Sequence, residues 1–124
     1  MIVLEDRSKV LNDGLWANNV EVPAYQVVEG SYVAYDIQIT TVSGARIQRW
    51  KRYLDFDRLK TELLIETPED KLAIPQLPPK SSNKNLDNAY FLKVRQDRLE
   101  YFAKCVLLNP DLARSQAVRR FIRQ

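Results

Sequence analysis

The 124-residue chain contains no histidine, one cysteine and only three glycines. Without histidine there is no His-based general acid or base, no His-containing triad and no His-ligated metal site. A lone Cys105 excludes an internal disulfide and any multi-cysteine metal site, and beside many lysines it points to a reducing compartment. Gly14, Gly30 and Gly44 are too widely spaced for a dinucleotide fingerprint or a Walker-type phosphate cradle. Long apolar runs are missing too. Leu63–Ile65 and Cys105–Leu108 fall far short of the ~20 residues that cross a bilayer. The first residues, Met1 to Asp6, put acidic groups where a secretory signal would need basic ones. The common catalytic toolkits are therefore absent, and binding is the class of function to test first. The remaining carboxylates, Glu62 and Glu66 among them, fit a solvated helix face better than an acid/base pair.

What is present suits one soluble domain: 45% hydrophobic and 28% charged residues, enough to bury a core and too few charges for a disordered chain. The net charge of +3 hides an asymmetry. Residues 1–45 carry two basic and six acidic side chains, whereas residues 46–60 carry six and two. Residues 61–79 return to one basic and four acidic, and residues 80–124 hold ten and four. Two basic stretches read as a local anion site rather than a uniformly basic nucleic-acid binder, and no nucleic-acid motif accompanies them. Two solvated faces with ordinary ion pairs would give the same charge pattern.

The hydrophobic period changes along the chain. Val20 and Val22, then Tyr35, Ile37 and Ile39 alternating with Asp36, Gln38 and Thr40, then Ile47 to Trp50, read as three strands. Glu29-Gly30-Ser31 and Ser43-Gly44 supply the turns, so an antiparallel meander is expected, with Trp50 packed on it. Phe56, Leu59 and Leu63 then recur at helical spacing up to Pro68. A second helix should start at Asp87 or Asn88 and run through Phe91, Leu92, Leu99, Phe102 and Val106 to Leu108, where Asn109-Pro110 stops it. This helix should bury Cys105. Ser115 can cap a last helix with Val118, Phe121 and Ile122 inside and Arg119, Arg120 and Arg123 outside. The fold class is α+β: a three-stranded antiparallel β-meander against a helical subdomain of three to four helices. Residues 1–19 read as an N-terminal extension and 20–124 as the domain. Between the first two helices, Ile74 to Lys80 holds three prolines, which predicts a stiff extended arm leading into a polar loop, Ser81 to Asn85.

Four segments, in order, resemble the phox-homology (PX) domain over roughly residues 20–123. Lys51-Arg52-Tyr53-Leu54-Asp55-Phe56 is similar to the family's Arg-Arg-Tyr/Phe-x-Asp/Glu-Phe signature, with Lys51 in place of the first Arg. The proline arm ending in Lys80, the run Phe91-Leu92-Lys93-Val94-Arg95 before Leu99, and Asn109-Pro110 through Ile122 match the others. The resemblance implies a non-enzymatic phosphoinositide-binding module, with no cofactor and no metal. It would be cytoplasmic and peripheral on endosomal or vacuolar membranes that carry phosphatidylinositol 3-phosphate. It also implies roles: Arg52 for the 3-phosphate, Tyr53 against the inositol face, Lys80 for the 1-phosphate and Arg95 for the 4- and 5-hydroxyls. Lys84 and Leu86 would touch the membrane. The residue types agree, since Arg offers a planar fork for phosphate, Lys a compact point charge and Tyr a flat apolar wall. Taken singly, Arg52 also reads as a partner of Asp55 or Asp57, Tyr53 as a core aromatic and Arg95 as an exposed helix charge. A rival function is a protein-interaction module with a degenerate lipid pocket. It would use Pro75-x-x-Pro78-x-Lys80 as an SH3-type ligand, or the N-terminal segment with Val3, Leu4, Leu11, Leu15 and Trp16.

Overall fold

Strand β1 (Ala17–Val28) turns into β2 (Tyr32–Thr41) through Glu29 and Gly30, both at positive φ (52° and 64°), with the Ser31 amide donating to the Val28 carbonyl at 2.9 Å. Two consecutive left-handed residues make a type I′ turn, whose twist matches that of the strands it joins. The computed structural model describes residues 17–80 and 86–124. Strand β3 (Arg46–Arg52) follows across a turn in which Gly44 takes φ 90°, completing an antiparallel sheet of order β1-β2-β3. β1 begins at Ala17, three residues ahead of Val20, where the alternating pattern starts. Its pairing shifts register between Glu21 and Ala24, around Pro23, which has no amide hydrogen to offer a ladder.

No residue separates β3 from helix α1 (Tyr53–Glu66). A 3₁₀ turn (Pro68–Ala73) and the proline arm lead on toward α2 (Ala89–Leu107), which is followed by the short α3 (Pro110–Ala113) and by α4 (Gln116–Arg123). Asn88 caps α2 by accepting the Phe91 amide, and Ser115 caps α4 by accepting the Val118 amide. The 3₁₀ turn and α3 are too short to leave a period in the sequence.

One face of the sheet meets the helices. Val20, Val22, Tyr35, Ile37 and Ile39 pack with Phe56, Leu59, Leu63, Leu99, Phe102, Val106 and Phe121. Phe56 stands at the centre, edge-on to Phe102 at 6.3 Å and to Phe121 at 5.5 Å between centroids. Burying each such ring is worth roughly 1.5–3 kcal/mol.

Three local expectations need correction. Trp50 does not pack into this core. The register pairs Lys51 with the inward Tyr35 and Trp50 with Asp36, so the strand's period of two turns Trp50 to the open face, where it is 48% exposed. The inward positions fall to long cations that run over α4: the Lys51 ammonium lies 4.9 Å from the centroid of Phe121, and Arg49 Nε donates to the Ile122 carbonyl at 2.5 Å. Burial lowers the Lys51 pKa. Cys105 is only half-buried, because α2 meets the sheet through a different stripe of its surface. Glu62 and Glu66 do not line a free face. Both bind Arg120, and Glu66 also accepts the Ala117 amide at 2.9 Å, fastening α1 to the start of α4.

Candidate functional site

The arm is held by its carbonyls. Ile74 and Pro78 are buried, the Tyr53 hydroxyl donates to the Pro78 carbonyl at 2.5 Å, and Arg95 Nη2 donates to the Pro79 carbonyl. With no amide hydrogens at Pro75, Pro78 and Pro79, the arm cannot form its own ladder there, and its oxygens remain available to side chains. Tyr53 opens α1, whereas Arg95 comes from the second turn of α2. The Asn88 cap fixes the start of α2, and the i, i+4 spacing then puts Phe91 and Arg95 on one side of it.

Arg95 is 8% exposed. Its guanidinium lies between two rings, 4.2 Å from the centroid of Tyr53 and 5.1 Å from that of Phe91. Its Nε is buried without a hydrogen-bond partner among the described residues. Burial lowers the Arg95 pKa, but an arginine starts so high that it stays charged. A charged guanidinium with an unused donor is chemically suited to an oxygen-rich partner. Burial also raises the Tyr53 pKa, while nearby Arg95 acts in the opposite direction.

The other two cations come from the end of the arm and the end of β3. Lys80, the last described residue of the arm, has its ammonium 3.5 Å from Asp57 of α1, with side chains 71% and 36% exposed, so the pair is loose. Arg52 ends β3 with its guanidinium 4.1 Å from the centroid of the Tyr32 ring, and its backbone amide donates to Asp55 at 2.8 Å. That bond caps α1 and fixes the chain direction at the strand–helix junction. Arg52 makes no ion pair with Asp55 or Asp57 among the described residues, so its charge is free for a ligand.

The structure thus brings Arg95 of α2 against Tyr53 of α1, sets Lys80 of the arm beside α1 at Asp57, and puts Arg52 of β3 next to Tyr53 at the strand–helix junction. Leu86 is half-buried before α2, and Lys84 lies outside the described residues with the rest of the loop 81–85. The sequence reading missed Tyr32 and Phe91 as stacking partners and Asp57 as the partner of Lys80. Tyr32 was within reach, because counting register outward from the turn at Ser43-Gly44 sets Ala34 opposite Arg52. The Asp57–Lys80 contact had no local signal.

A cluster of three cations and a ring, with no nucleophile between them, is built to hold an anion. Residues 40–124 match the PX domain family model, and the chain belongs to that family. The family consists of membrane-targeting modules that bind phosphoinositides. The chain is 32% identical over 130 residues to an endosomal/vacuolar adapter protein of Meyerozyma guilliermondii, covering 98% of this chain and 88% of that protein. It is also 32% identical over 112 residues to sorting nexin-16 of Homo sapiens, covering 86% of this chain and 32% of that protein. Among solved structures, a designed CISK-PX domain superposes with a TM-score of 0.75 at 26% identity, over 86% of this chain and all of that one.

Proposed function

We propose that the domain binds phosphatidylinositol 3-phosphate and so recruits its parent protein, as a peripheral component, to endosomal or vacuolar membranes. The observation that carries this reading is the convergence of Arg52, Tyr53, Lys80 and Arg95 from four separate elements, with two of the cations free or loosely paired. Arg52 grips the 3-phosphate, Lys80 leaves Asp57 for the 1-phosphate, Arg95 offers donors to the inositol hydroxyls and Tyr53 walls the ring. Residence on endosomes or vacuoles agrees with the name of the endosomal/vacuolar adapter relative. Among the described residues no helix is long and apolar enough to cross a membrane.

The rival use of the arm as an SH3-type ligand is disfavoured. Pro78 is buried, and the Pro78 and Pro79 carbonyls are already occupied by Tyr53 and Arg95. A ligand of that type must present one face of its polyproline helix to solvent.

Liposome sedimentation tests the reading. Losing a charge-assisted contact costs about 1.5–3 kcal/mol, or roughly ten- to a hundredfold in affinity. Arg52→Ala should therefore abolish measurable binding to phosphatidylinositol 3-phosphate vesicles at an unchanged melting temperature. A variant that binds like the parent would refute the assignment. The expected preference is for the 3-phosphate over the 4-phosphate, the 5-phosphate and the 3,4,5-trisphosphate.

A further inference from the structure

The headgroup site contains a charge of the wrong sign for its proposed ligand. Asp57 projects from the second turn of α1, four residues after Tyr53, and its carboxylate sits 3.5 Å from the Lys80 ammonium. Burial raises the pKa of the Tyr53 hydroxyl, and the Asp57 carboxylate adds to that rise. A helix start gains from an acidic residue. Here Asp55 already fills that role by accepting the Arg52 amide, which leaves Asp57 without a structural task of comparable weight. Its ion pair with Lys80 is open to solvent on both sides and contributes little to folding.

We propose that Asp57 is a specificity-determining residue that makes the site favour singly phosphorylated phosphoinositides. This rests on the headgroup reading above. In the free domain Asp57 holds Lys80 near the pocket. A headgroup phosphate then takes Lys80 over, and the abandoned carboxylate stays beside the bound anion. Its repulsion grows with the charge of the ligand, whereas the attracting cations remain the same three, Arg52, Lys80 and Arg95. A 3-phosphate tolerates this neighbour, because Arg52 of β3 makes no ion pair with Asp57 among the described residues and keeps its charge for the phosphate. Each added phosphate brings further negative charge into the same enclosure. Attraction alone would let affinity climb with phosphate count, and Asp57 opposes that climb.

The test measures affinity for phosphatidylcholine vesicles carrying either phosphatidylinositol 3-phosphate or phosphatidylinositol 3,4,5-trisphosphate, for the wild type and for Asp57→Asn. The amide keeps shape and polarity and removes the charge. Expected is a roughly two- to threefold gain for the 3-phosphate and a gain of about tenfold for the trisphosphate, both shrinking at high salt. The melting temperature should hold within a degree or two, which separates this role from a helix-stabilising one. A wild type that selects the 3-phosphate and an Asp57→Asn variant with the same ratio between the two lipids would overturn this inference alone. Weaker binding of both lipids would also overturn it, by showing that Asp57 serves to aim Lys80. A wild type indifferent to phosphoinositides would overturn the headgroup reading, and this inference with it.

Discussion

Tyr35 shows how one buried side chain sets a pH limit on the domain. It is 1% exposed in the sheet's inner face, and burial raises its pKa to about 12, against an ordinary value near 10. The unfolded chain therefore releases this proton first as pH rises. Tyr35 contributes stability that is complete below pH 10 and is lost progressively toward pH 12. Lys51 works in the opposite direction, since its lowered pKa means that alkali relieves the strain of a buried ammonium. Tyr35→Phe should move the alkaline unfolding midpoint upward, as followed by circular dichroism across a pH series. An unmoved midpoint would mean that other tyrosines govern the transition. The same residue scale shows what the sequence hid. Arg95 reads as either a lipid ligand or an exposed helix charge; it is not exposed, and it bolts the arm through Pro79. That contact spans 16 residues, and no local pattern encodes it.

Among the elements, the hairpin between β1 and β2 carries a visible defect. Glu29 adopts a left-handed φ of 52° that a side chain beyond Asn or Gly tolerates poorly, next to Gly30, which tolerates it well. Glu29→Asn should install the favoured Asn-Gly turn and stabilise the domain by about 0.5–1 kcal/mol, a rise of a few degrees in a thermal melt. A fall would show that Glu29 makes some compensating contact. Elements that advertise themselves chemically were legible in advance. The alternation of β2, the two turns, the Asn88 and Ser115 caps and the arm all follow from residue types at short range. Strand β3 was legible as a strand and misread as to its faces, because Arg49 and Lys51 point inward by laying apolar stems over α4 while Trp50 points out. The site's four residues could be named by resemblance. Their meeting depends on how α2 and the arm dock, which is a tertiary fact.

As a whole, the molecule sets exposed or half-exposed apolar side chains only singly beside the proposed headgroup residues in sequence: Trp50 and Leu54 on either side of Arg52-Tyr53, Val94 before Arg95, and Leu86 and Tyr90 around the start of α2. Headgroup contacts supply orientation and part of the affinity, and lasting residence needs apolar insertion, surface charge or a second attachment. An isolated domain should therefore bind phosphatidylinositol 3-phosphate vesicles weakly. A version dimerised through a leucine zipper should bind tighter by at least tenfold through avidity. Tight, salt-insensitive binding by the monomer, unchanged on dimerisation, would contradict this and imply deeper insertion.

A domain gathered on a membrane is crowded into two dimensions, and a bare strand edge becomes hazardous there. β1 is an outer strand, and at Val22 both of its main-chain groups are already taken. The amide donates to Glu100 at 2.7 Å, and the carbonyl accepts from Gln96 at 2.8 Å, both from α2. At the opposite edge β3 carries the exposed Arg46 and Arg52, so two such edges repel one another. Neighbouring copies on one vesicle thus find no open ladder at Val22 and like charge along β3, and the domain can accumulate at high surface density without zipping into sheets.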